Sequence, residues 1–312
     1  MMVRLKAAVA AGAVVGLWAL NKRLEVEGPA QVGLGGEARR FRWRGRTLAY
    51  SVAGEGEPLL LVHGVYAGAS SLEFRENFEE LSESFRVYAP DLLGCGLSEK
   101  PRLRYGPEDV AAQVEDFVNE EVGEGAHLVA SSLTAALVVP AAVRSPKLFK
   151  KLVLVCPTGY GTLDRPSGPL GDAVLGLFRA PILGDTLYHA LVSRAGIRYY
   201  LERMAYHDPS LVTDDVVEDY HRAGHGPGSK HFPASFVAGK LNLGVAGLWP
   251  RVPHKSLLCW GQEAETVPLS NLGNFARDNP RSEPRVFRDA ALLPHVERSG
   301  TFNEEVRKFL SD

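Results

Sequence analysis

The stretch that decides the fold is AHLVASSLTAALVV, residues 126–139. Its first five residues form an apolar run that predicts a strand buried on both faces. A helix of small, mostly apolar side chains is predicted over residues 133–143 and starts directly after the strand. Ser131 and Ser132 therefore lie at a sharp strand-to-helix turn, where the backbone of a nucleophile is held in a strained conformation.

Ser132 is the better candidate for a nucleophile at this turn. The turn requires small residues two positions before and two positions after the nucleophile. For Ser132 these neighbours are Ala130 and Thr134, whereas for Ser131 they would be a valine and a leucine, which a tight turn would not admit. The helix that follows aims backbone N–H groups and a partial positive charge at the turn, which favours a developing oxyanion.

Strand and helix signals alternate on both sides of this turn. A hairpin is predicted about Gly45, and amphipathic helices are predicted at residues 108–121 and 303–310. Strands are predicted at residues 59–62, 85–89, 126–130, 151–156, 255–260 and 286–287. This alternation predicts a mostly parallel sheet with helices on both faces.

Residues 158–252 break the alternation. They contain helical patterns and many aromatic residues but no convincing strand, which predicts a helical cap inserted between two strands of the sheet. The chain then divides into a hydrophobic N-terminal segment, a linker, the first part of the core, the cap and the second part of the core. These units are predicted at residues 1–24, 25–38, 39–157, 158–252 and 253–312.

The hydrophobic N-terminal segment has three open interpretations. Residues 7–20 are wholly apolar and have basic residues on both flanks. The run is shorter than the roughly 20 residues of a spanning helix, and no A-x-A-like cleavage site follows it. It could be a short membrane anchor, a helix packed on its own domain or on a partner, or an unusual signal peptide.

Composition excludes some classes of partner. Hydrophobic residues make up 45% of the chain and charged residues 23%, as in ordinary globular proteins. The net charge of -2 argues against nucleic-acid binding. Cys95, Cys156 and Cys259 are far apart and are interpreted as buried apolar side chains in a reducing compartment. We therefore expect a cytoplasmic protein, with membrane association through residues 1–24 left open.

Three separated segments match one family in order and spacing. His63 and Gly64 follow the strand at 59–62, DLLGCGLS occupies residues 91–98, and the turn with Ser132 follows the strand at 126–130. With a histidine near the C-terminus, these segments resemble the α/β-hydrolase superfamily in its His-Gly branch, over roughly Phe41 to Leu310. The family elbow G-x-S-x-G reads Ala-Ser-Ser-Leu-Thr here. The resemblance implies an α/β-hydrolase fold with a serine nucleophile.

The same resemblance implies a base and an acid. The superfamily carries its base in the loop after the last strand, where His295 lies. The acid that orients the imidazole comes from the loop after the strand at 255–260. Its commonest position holds Ala264 here, so Glu265 is the expected acid and Glu263 the alternative; glutamate fills this role in other α/β-hydrolases.

The oxyanion hole is expected to use two backbone N–H groups, those of Val65 and Leu133. His63 resembles the histidine with which the family shapes its loop, and is not expected to be catalytic. Asp91 and Ser98 are interpreted as turn residues.

These predictions add up to a serine hydrolase with a catalytic triad. The expected substrate is a small, apolar carboxylic ester cleaved through an acyl-enzyme, with no cofactor and no metal. His221, His225 and His231 lie near each other in the sequence, but they are not expected to bind a metal. No H-E-x-x-H motif is present, and nearby glycines would interrupt the helix that would have to carry the metal-ligating histidines. Lactone hydrolysis, C–C hydrolysis, perhydrolysis and acyl transfer use the same triad and stay open. A catalytically weak hydrolase-like binding protein and a structural membrane-associated protein are alternatives from other classes.

Overall fold

The computed structural model describes residues 15–24 and 33–312. Within these residues, an eight-stranded sheet has the order β1-β2-β4-β3-β5-β6-β7-β8. The β1–β2 and β2–β4 pairs are antiparallel, and the other pairs are parallel. The strands are β1 Glu37–Trp43, β2 Arg46–Ala53, β3 Pro58–Val62, β4 Arg86–Pro90, β5 Ala126–Ser131, β6 Phe149–Val155, β7 Ser256–Gly261 and β8 Ser282–Phe287.

Helices cover both faces of this sheet. The α-helices are α1 (residues 15–24), α2 Phe78–Ser82, α3 Pro107–Asp116, α4 Ser132–Leu137, α5 Val139–Arg144, α6 Pro169–Arg179, α7 Leu183–Leu191, α8 Arg194–Tyr200, α9 Asp214–Ala223, α10 His231–Val237, α11 Ser270–Asp278, α12 Pro294–Glu297 and α13 Ser299–Ser311. Short 3₁₀ turns occur at Ser71–Phe74, Pro146–Leu148, Pro209–Leu211 and Trp249–Arg251, and π-helical turns at Phe117–Val122 and Leu201–Ala205.

Two apolar layers hold the sheet between the helices. On one face, α2 and α13 contribute Phe78 and Phe302 to a cluster with alternate residues of the central strands. On the other face, Phe117 and Leu133 belong to a larger cluster that continues into the cap. All five residues of β3 are buried, as expected for a strand covered on both sides. The predicted α/β class, with a mostly parallel sheet between two helical layers, is confirmed.

Among the elements that differ in extent from the prediction, two have a clear physical reason. The helix predicted over 133–143 is divided into α4 and α5, because Pro140 has no N–H and its ring crowds the carbonyl four residues earlier. The last strand was predicted at 286–287 but begins at Ser282. Most of its side chains are exposed at the sheet edge, so no apolar run marked it in the sequence.

The inserted cap consists of α6 to α10, between β6 and β7. Two polar contacts tie it to the core. The Arg75 guanidinium pairs with Asp219 of α9 at 2.7 Å. The Glu297 carboxylate accepts hydrogen bonds from the backbone N–H groups of His207 and Asp208 at 2.7 and 3.0 Å. The cap is therefore held against the segments that carry the candidate site.

The side chain of Asn21 bonds helix α1 to the cap. Asn21 Nδ2 donates to the Ile182 carbonyl and to Thr186 Oγ1, both at 3.0 Å. Among the helices of residues 15–24 and 33–312, none is long and apolar enough to cross a membrane. Residues 1–14 of the predicted hydrophobic segment and residues 25–32 of the predicted linker lie outside the described residues.

Candidate active site

The turn between β5 and α4 holds Ser132 in a strained conformation. Ser132 has φ +53°, in the left-handed region that side chains other than glycine rarely adopt, while Ser131 before it is extended. Such strain costs about 1–3 kcal/mol and persists only where the surrounding structure imposes it. The sharp turn expected from the sequence therefore carries Ser132, and Ser131 is the last residue of the strand.

Thr134, the larger residue two positions after Ser132, is accommodated by a hydrogen bond. Its hydroxyl donates to the His63 carbonyl at 2.7 Å and is fully buried. Ala130, two positions before Ser132, is also fully buried. The threonine therefore links the elbow to the loop after β3.

The loop after β3 is shaped by the His63 ring. Leu92 N–H donates to His63 Nε2 at 3.1 Å, so this nitrogen is the acceptor and Nδ1 donates to the Gly64 carbonyl at 2.7 Å. Both ring nitrogens are thus used by backbone groups. His63 has no atom left for catalysis, which agrees with the role expected from the sequence.

The two expected oxyanion donors lie at the ends of adjacent strands. Val65 follows Gly64 after β3, and Leu133 lies in the first turn of α4, where N–H groups have no acceptor within the helix. Because β3 and β5 are parallel neighbours, their carboxyl ends meet at the same edge of the sheet. The role of these two N–H groups stays a prediction.

His295 lies in α12, fully buried between aromatic rings. Its ring centroid is 5.1 Å from that of Phe74 and 5.7 Å from that of Phe302. The His295 carbonyl accepts from Asn77 Nδ2 at 2.8 Å. The backbone and the ring of this histidine are thus both fixed by the segment that precedes α2.

The partner of the His295 ring is Glu73. His295 Nε2 and Glu73 Oε1 are 3.1 Å apart, and both side chains are fully buried. The other oxygen, Glu73 Oε2, accepts the Gly64 N–H at 3.0 Å. The Nδ1 atom of His295 is buried and has no hydrogen-bond partner within residues 15–24 and 33–312. One ring nitrogen therefore faces a carboxylate while the other is unbonded, and the Ser132 hydroxyl forms no hydrogen bond with the ring in this part of the chain.

Glu73 is carried on a 3₁₀ turn, Ser71–Phe74, which the loop after β4 holds in place. Asp91 Oδ1 accepts the Ser71 N–H at 2.6 Å, and Asp91 Oδ2 accepts the Leu97 N–H at 2.7 Å. A side chain at Gly64 would lie 3.3 Å from Glu73 Oε2 and 3.4 Å from the Ser132 Cβ. The Glu73 carboxylate and Ser132 therefore both lie close to Gly64.

The Glu73 carboxylate is ionised in spite of its burial. Burial alone would raise its pKa, because a charge in a low-dielectric interior is costly. The hydrogen bonds that the carboxylate accepts from His295 and from the Ser131 hydroxyl outweigh burial, and the pKa of Glu73 lies below its ordinary value. An ionised Glu73 accepts a hydrogen bond from His295 Nε2–H, which leaves the lone pair of the imidazole on Nδ1.

The carboxylates expected from the sequence lie elsewhere. Glu265 is exposed and makes no hydrogen bond or ion pair with His295 among the described residues. Glu263 accepts the Ala290 N–H at 3.0 Å, so it stabilises the neighbouring loop. The buried position after β7 is Ala264, and the residue next to it faces solvent. The expected contact between Glu265 and His295 is not formed.

Sequence reasoning missed Glu73 because a single acid within a short apolar turn has no recognisable pattern. The one signal available was indirect. Ala264 leaves the usual acid position without a carboxylate, and Glu73 lies only nine residues after Gly64.

Tyrosines from the core and the cap enclose Glu73. The rings of Tyr200 and Tyr220 stack on that of Tyr66, with centroid distances of 6.1 and 5.2 Å. Burial raises the pKa of Tyr66, and the negative charge of Glu73 adds to the effect, so Tyr66 remains a neutral phenol. The same two causes raise the pKa of Tyr200. The Glu73 carboxylate is therefore surrounded by aromatic rings whose phenol groups are neutral.

Most of this chain matches a known protein family. A model of the alpha/beta hydrolase family matches residues 59–305. The chain belongs to the α/β-hydrolase family. In this α/β-hydrolase, the carboxylate bonded to the histidine follows β3, whereas the sequence led us to expect it after β7.

Two similar proteins from Pseudomonas are named as hydrolases. This α/β-hydrolase is 28% identical over 274 residues to a 2-hydroxymuconate semialdehyde hydrolase of a Pseudomonas species, covering 83% of this chain and 89% of the relative. It is 26% identical over 266 residues to a 2-hydroxy-6-oxo-2,4-heptadienoate hydrolase of Pseudomonas putida, covering 83% and 90%. The crystal structure of a 2-hydroxy-6-oxo-6-phenylhexa-2,4-dienoate hydrolase from a Rhodococcus species superposes with a TM-score of 0.73 at 21% identity, covering 88% of this chain and 99% of that one. At that identity the structural likeness concerns the fold.

Proposed function

We propose that this chain is a serine hydrolase that cleaves neutral, largely apolar carboxylic esters, with Ser132 as nucleophile, His295 as base and Glu73 as the carboxylate that orients the base. The observation that carries the proposal is the buried pair of His295 and Glu73 beside the strained Ser132. A buried carboxylate charge of this kind is expensive to maintain and is a poor way to stabilise a fold. Its position next to a nucleophile elbow supports a catalytic role.

In the proposed reaction, Ser132 Oγ forms a bond to the ester carbonyl carbon while its proton passes to the His295 nitrogen that does not face Glu73. The carbonyl oxygen becomes an oxyanion, which the N–H groups of Val65 and Leu133 stabilise. The bond to the alcohol oxygen then breaks and His295 returns the proton to that oxygen. Water adds to the acyl-enzyme by the same steps, releasing the acid and restoring Ser132.

Glu73 stabilises the positive charge that His295 carries during these steps. His295 becomes a cation only while it holds the serine proton, and an ionised carboxylate 3.1 Å from Nε2 stabilises that cation. The second Glu73 oxygen, bonded to the Gly64 N–H, fixes the carboxylate relative to the expected oxyanion loop. One side chain therefore connects the base to the loop that precedes Val65.

The charge of the site favours a neutral substrate. Glu73 is a buried anion, and the tyrosines around it are neutral. A second anion in the same low-dielectric site would be repelled. Arg75, whose charge acts on Tyr220, is already paired with Asp219 at 2.7 Å. An ester without a carboxylate, with an apolar group to place against the tyrosines, fits these features best.

Hydrolysis of a carbon–carbon bond next to a ketone is the second candidate. The similarity to 2-hydroxymuconate semialdehyde hydrolase and to 2-hydroxy-6-oxo-2,4-heptadienoate hydrolase favours it, and the same serine and histidine can serve both reactions. The dienoate named for the second relative is a carboxylate, which the Glu73 charge disfavours here. Loss of the dienoate absorbance at a rate above that of ester hydrolysis would select this candidate.

The test is a panel of p-nitrophenyl esters of increasing acyl length, together with a fluorophosphonate probe. We expect ester turnover and covalent labelling of the wild type. Ser132→Ala should abolish both. Ser131→Ala tests the competing serine: it removes a hydroxyl that also acts on Glu73, but the protein should still be labelled at Ser132. Labelling that follows Ser131 would contradict the assignment. No labelling and no turnover of either substrate class would identify a hydrolase-like binding protein.

A further inference from the structure

The outer face of the cap exposes a row of leucines. Leu183, Leu187 and Leu191 of α7 are 52%, 36% and 39% exposed. Their spacing of four residues places them on one side of the helix. Leu170 and Leu177 of α6, which packs on α7, are exposed as well. Single exposed leucines are ordinary, whereas a row of them on one face indicates an interaction surface.

Helix α1 extends this apolar surface. Residues 15–20 are all exposed, among them Val15, Leu17, Trp18 and Leu20. Successive residues of an α-helix are rotated by about 100° about its axis. Thr186 of α7, which binds Asn21, therefore lies between the leucine row and the side of α7 that carries Asp185 and His189. This bond therefore places Asn21 of α1 beside the leucine row of α7.

A cavity of about 250 Å³ lies between α1 and the cap, and its charge is predominantly positive. Lys22, Arg102, Arg179 and Lys230 line it together with Trp18. Asp185, its one acid among the described residues, is paired with Lys230 at 2.5 Å. The cavity therefore has a net positive charge at the edge of the apolar surface.

A buried histidine points to a ligand in this cavity. His231 lines the cavity and is 7% exposed, and its Nδ1 atom is buried without a hydrogen-bond partner within residues 15–24 and 33–312. Burial and the charges of Lys230, Arg102 and Arg179 lower the pKa of His231 to about 4, so the ring is neutral. A neutral imidazole beside several cations can hydrogen-bond to a bound oxyanion without adding a buried charge.

We propose that the α1–α6–α7 face of the cap docks on a bilayer that contains anionic phospholipid. The headgroup phosphate enters the cavity between α1 and residues 226–231, while Trp18 and the leucine row of α7 enter the boundary between headgroups and acyl chains. A tryptophan at such a boundary, beside basic residues, is typical of proteins that lie in the plane of a membrane. A second copy of the chain fits less well, because a two-fold contact on this face would bring two positively charged cavities together.

The experiment is sedimentation of the full chain with vesicles of phosphatidylglycerol and phosphatidylcholine, against vesicles of phosphatidylcholine alone. We expect at least about 25-fold stronger binding to the anionic vesicles, since each basic residue near such a surface contributes on the order of fivefold and the cavity has at least two arginines. Binding should weaken as sodium chloride rises from about 50 to about 500 mM, because screening shortens the range of the charges.

Two double variants separate this face from the rest of the chain. Arg102→Ala with Arg179→Ala should weaken binding to anionic vesicles by on the order of 25-fold. Leu183→Asp with Leu187→Asp should abolish it on both vesicle types. Lys308→Ala and Val286→Asp are the matched controls, because both positions are exposed on α13 and on the edge strand β8. Circular dichroism checks that each variant is folded.

Several results would overturn the proposal. Unchanged vesicle binding in both double variants would place any membrane affinity in another segment of the chain. Binding without preference for anionic lipid would remove the headgroup from the argument. A rise in Tm with inorganic phosphate, without vesicle binding, would identify a site for a free anion. Concentration-dependent self-association that Leu183→Asp with Leu187→Asp prevents would identify a second copy as the occupant. None of these measurements requires ester turnover, so they are independent of the proposed function.

Discussion

Replacing Glu73 by glutamine tests the unexpected member of the site. Glu73→Gln keeps the shape of the side chain and one oxygen that can accept the Gly64 N–H, but it removes the negative charge beside His295. At an effective dielectric constant of about 20, opposite unit charges separated by the observed 3.1 Å attract by about 5 kcal/mol. His295 is charged only after it has taken the serine proton, so this attraction belongs to the transition state and not to substrate binding.

The expected result is a fall in kcat of about ten-thousand-fold with little change in KM, because about 1.4 kcal/mol corresponds to a factor of ten in rate. Steady-state kinetics with the best p-nitrophenyl ester of the panel measures both constants. Glu265→Gln is the matched control. Its exposed side chain makes no contact with His295, so kcat should stay within about fivefold of the wild type.

The reasoning would be refuted by the opposite pattern, in which Glu265→Gln loses most of the activity and Glu73→Gln loses little. That pattern would mean that the loop after β7 rearranges around substrate and supplies the acid. Urea unfolding of both variants ensures that a loss of activity is not a loss of the folded state.

Three further predictions concern stability. Ser132→Gly should raise the free energy of unfolding by about 1 kcal/mol while abolishing hydrolysis, because glycine adopts the observed φ of +53° without strain; urea unfolding measures the gain. Thr134→Val removes the hydrogen bond to the His63 carbonyl and should lower the free energy of unfolding by about 1–2 kcal/mol in the same assay. The pKa of Glu73 is lower in the folded than in the unfolded chain, so its ionised form stabilises the fold above the ordinary pKa of 4.5, and this contribution is lost as pH falls further. Urea titrations between about pH 7 and about pH 3 should show a shallower pH dependence for Glu73→Gln than for the wild type, and equal slopes would contradict this assignment.

Local sequence patterns were sufficient to predict the elbow and the strand and helix on either side of it. A buried strand followed at once by a helix leaves only a sharp turn between them, which is why the positive φ could be expected near Ser131 and Ser132. The hydrogen bond from Thr134 to His63 could not be expected, because it joins residues 71 positions apart. It explains how the elbow tolerates a threonine where the family has glycine.

The sequence could not identify Glu73 as the carboxylate that bonds to His295. Glu73 and His295 are 222 positions apart, and their contact depends on how α12 and the turn before α2 pack against each other. Asn77 strengthens that packing through its bond to the His295 carbonyl. By chain order and loop position alone, Glu265 was the reasonable choice.

From the sequence alone we could predict the order of strands and helices, the elbow and the position of His295 after the last strand, although His295 lies in the short helix α12 and not in a loop. Each of these depends on apolar periodicity or on the conformational limits of a few adjacent residues. Only the tertiary structure decided which carboxylate meets the imidazole and which tyrosines surround it. A buried charge is stable only beside a matching partner, and that partner is selected by three-dimensional packing, which distant residues share without any local signal.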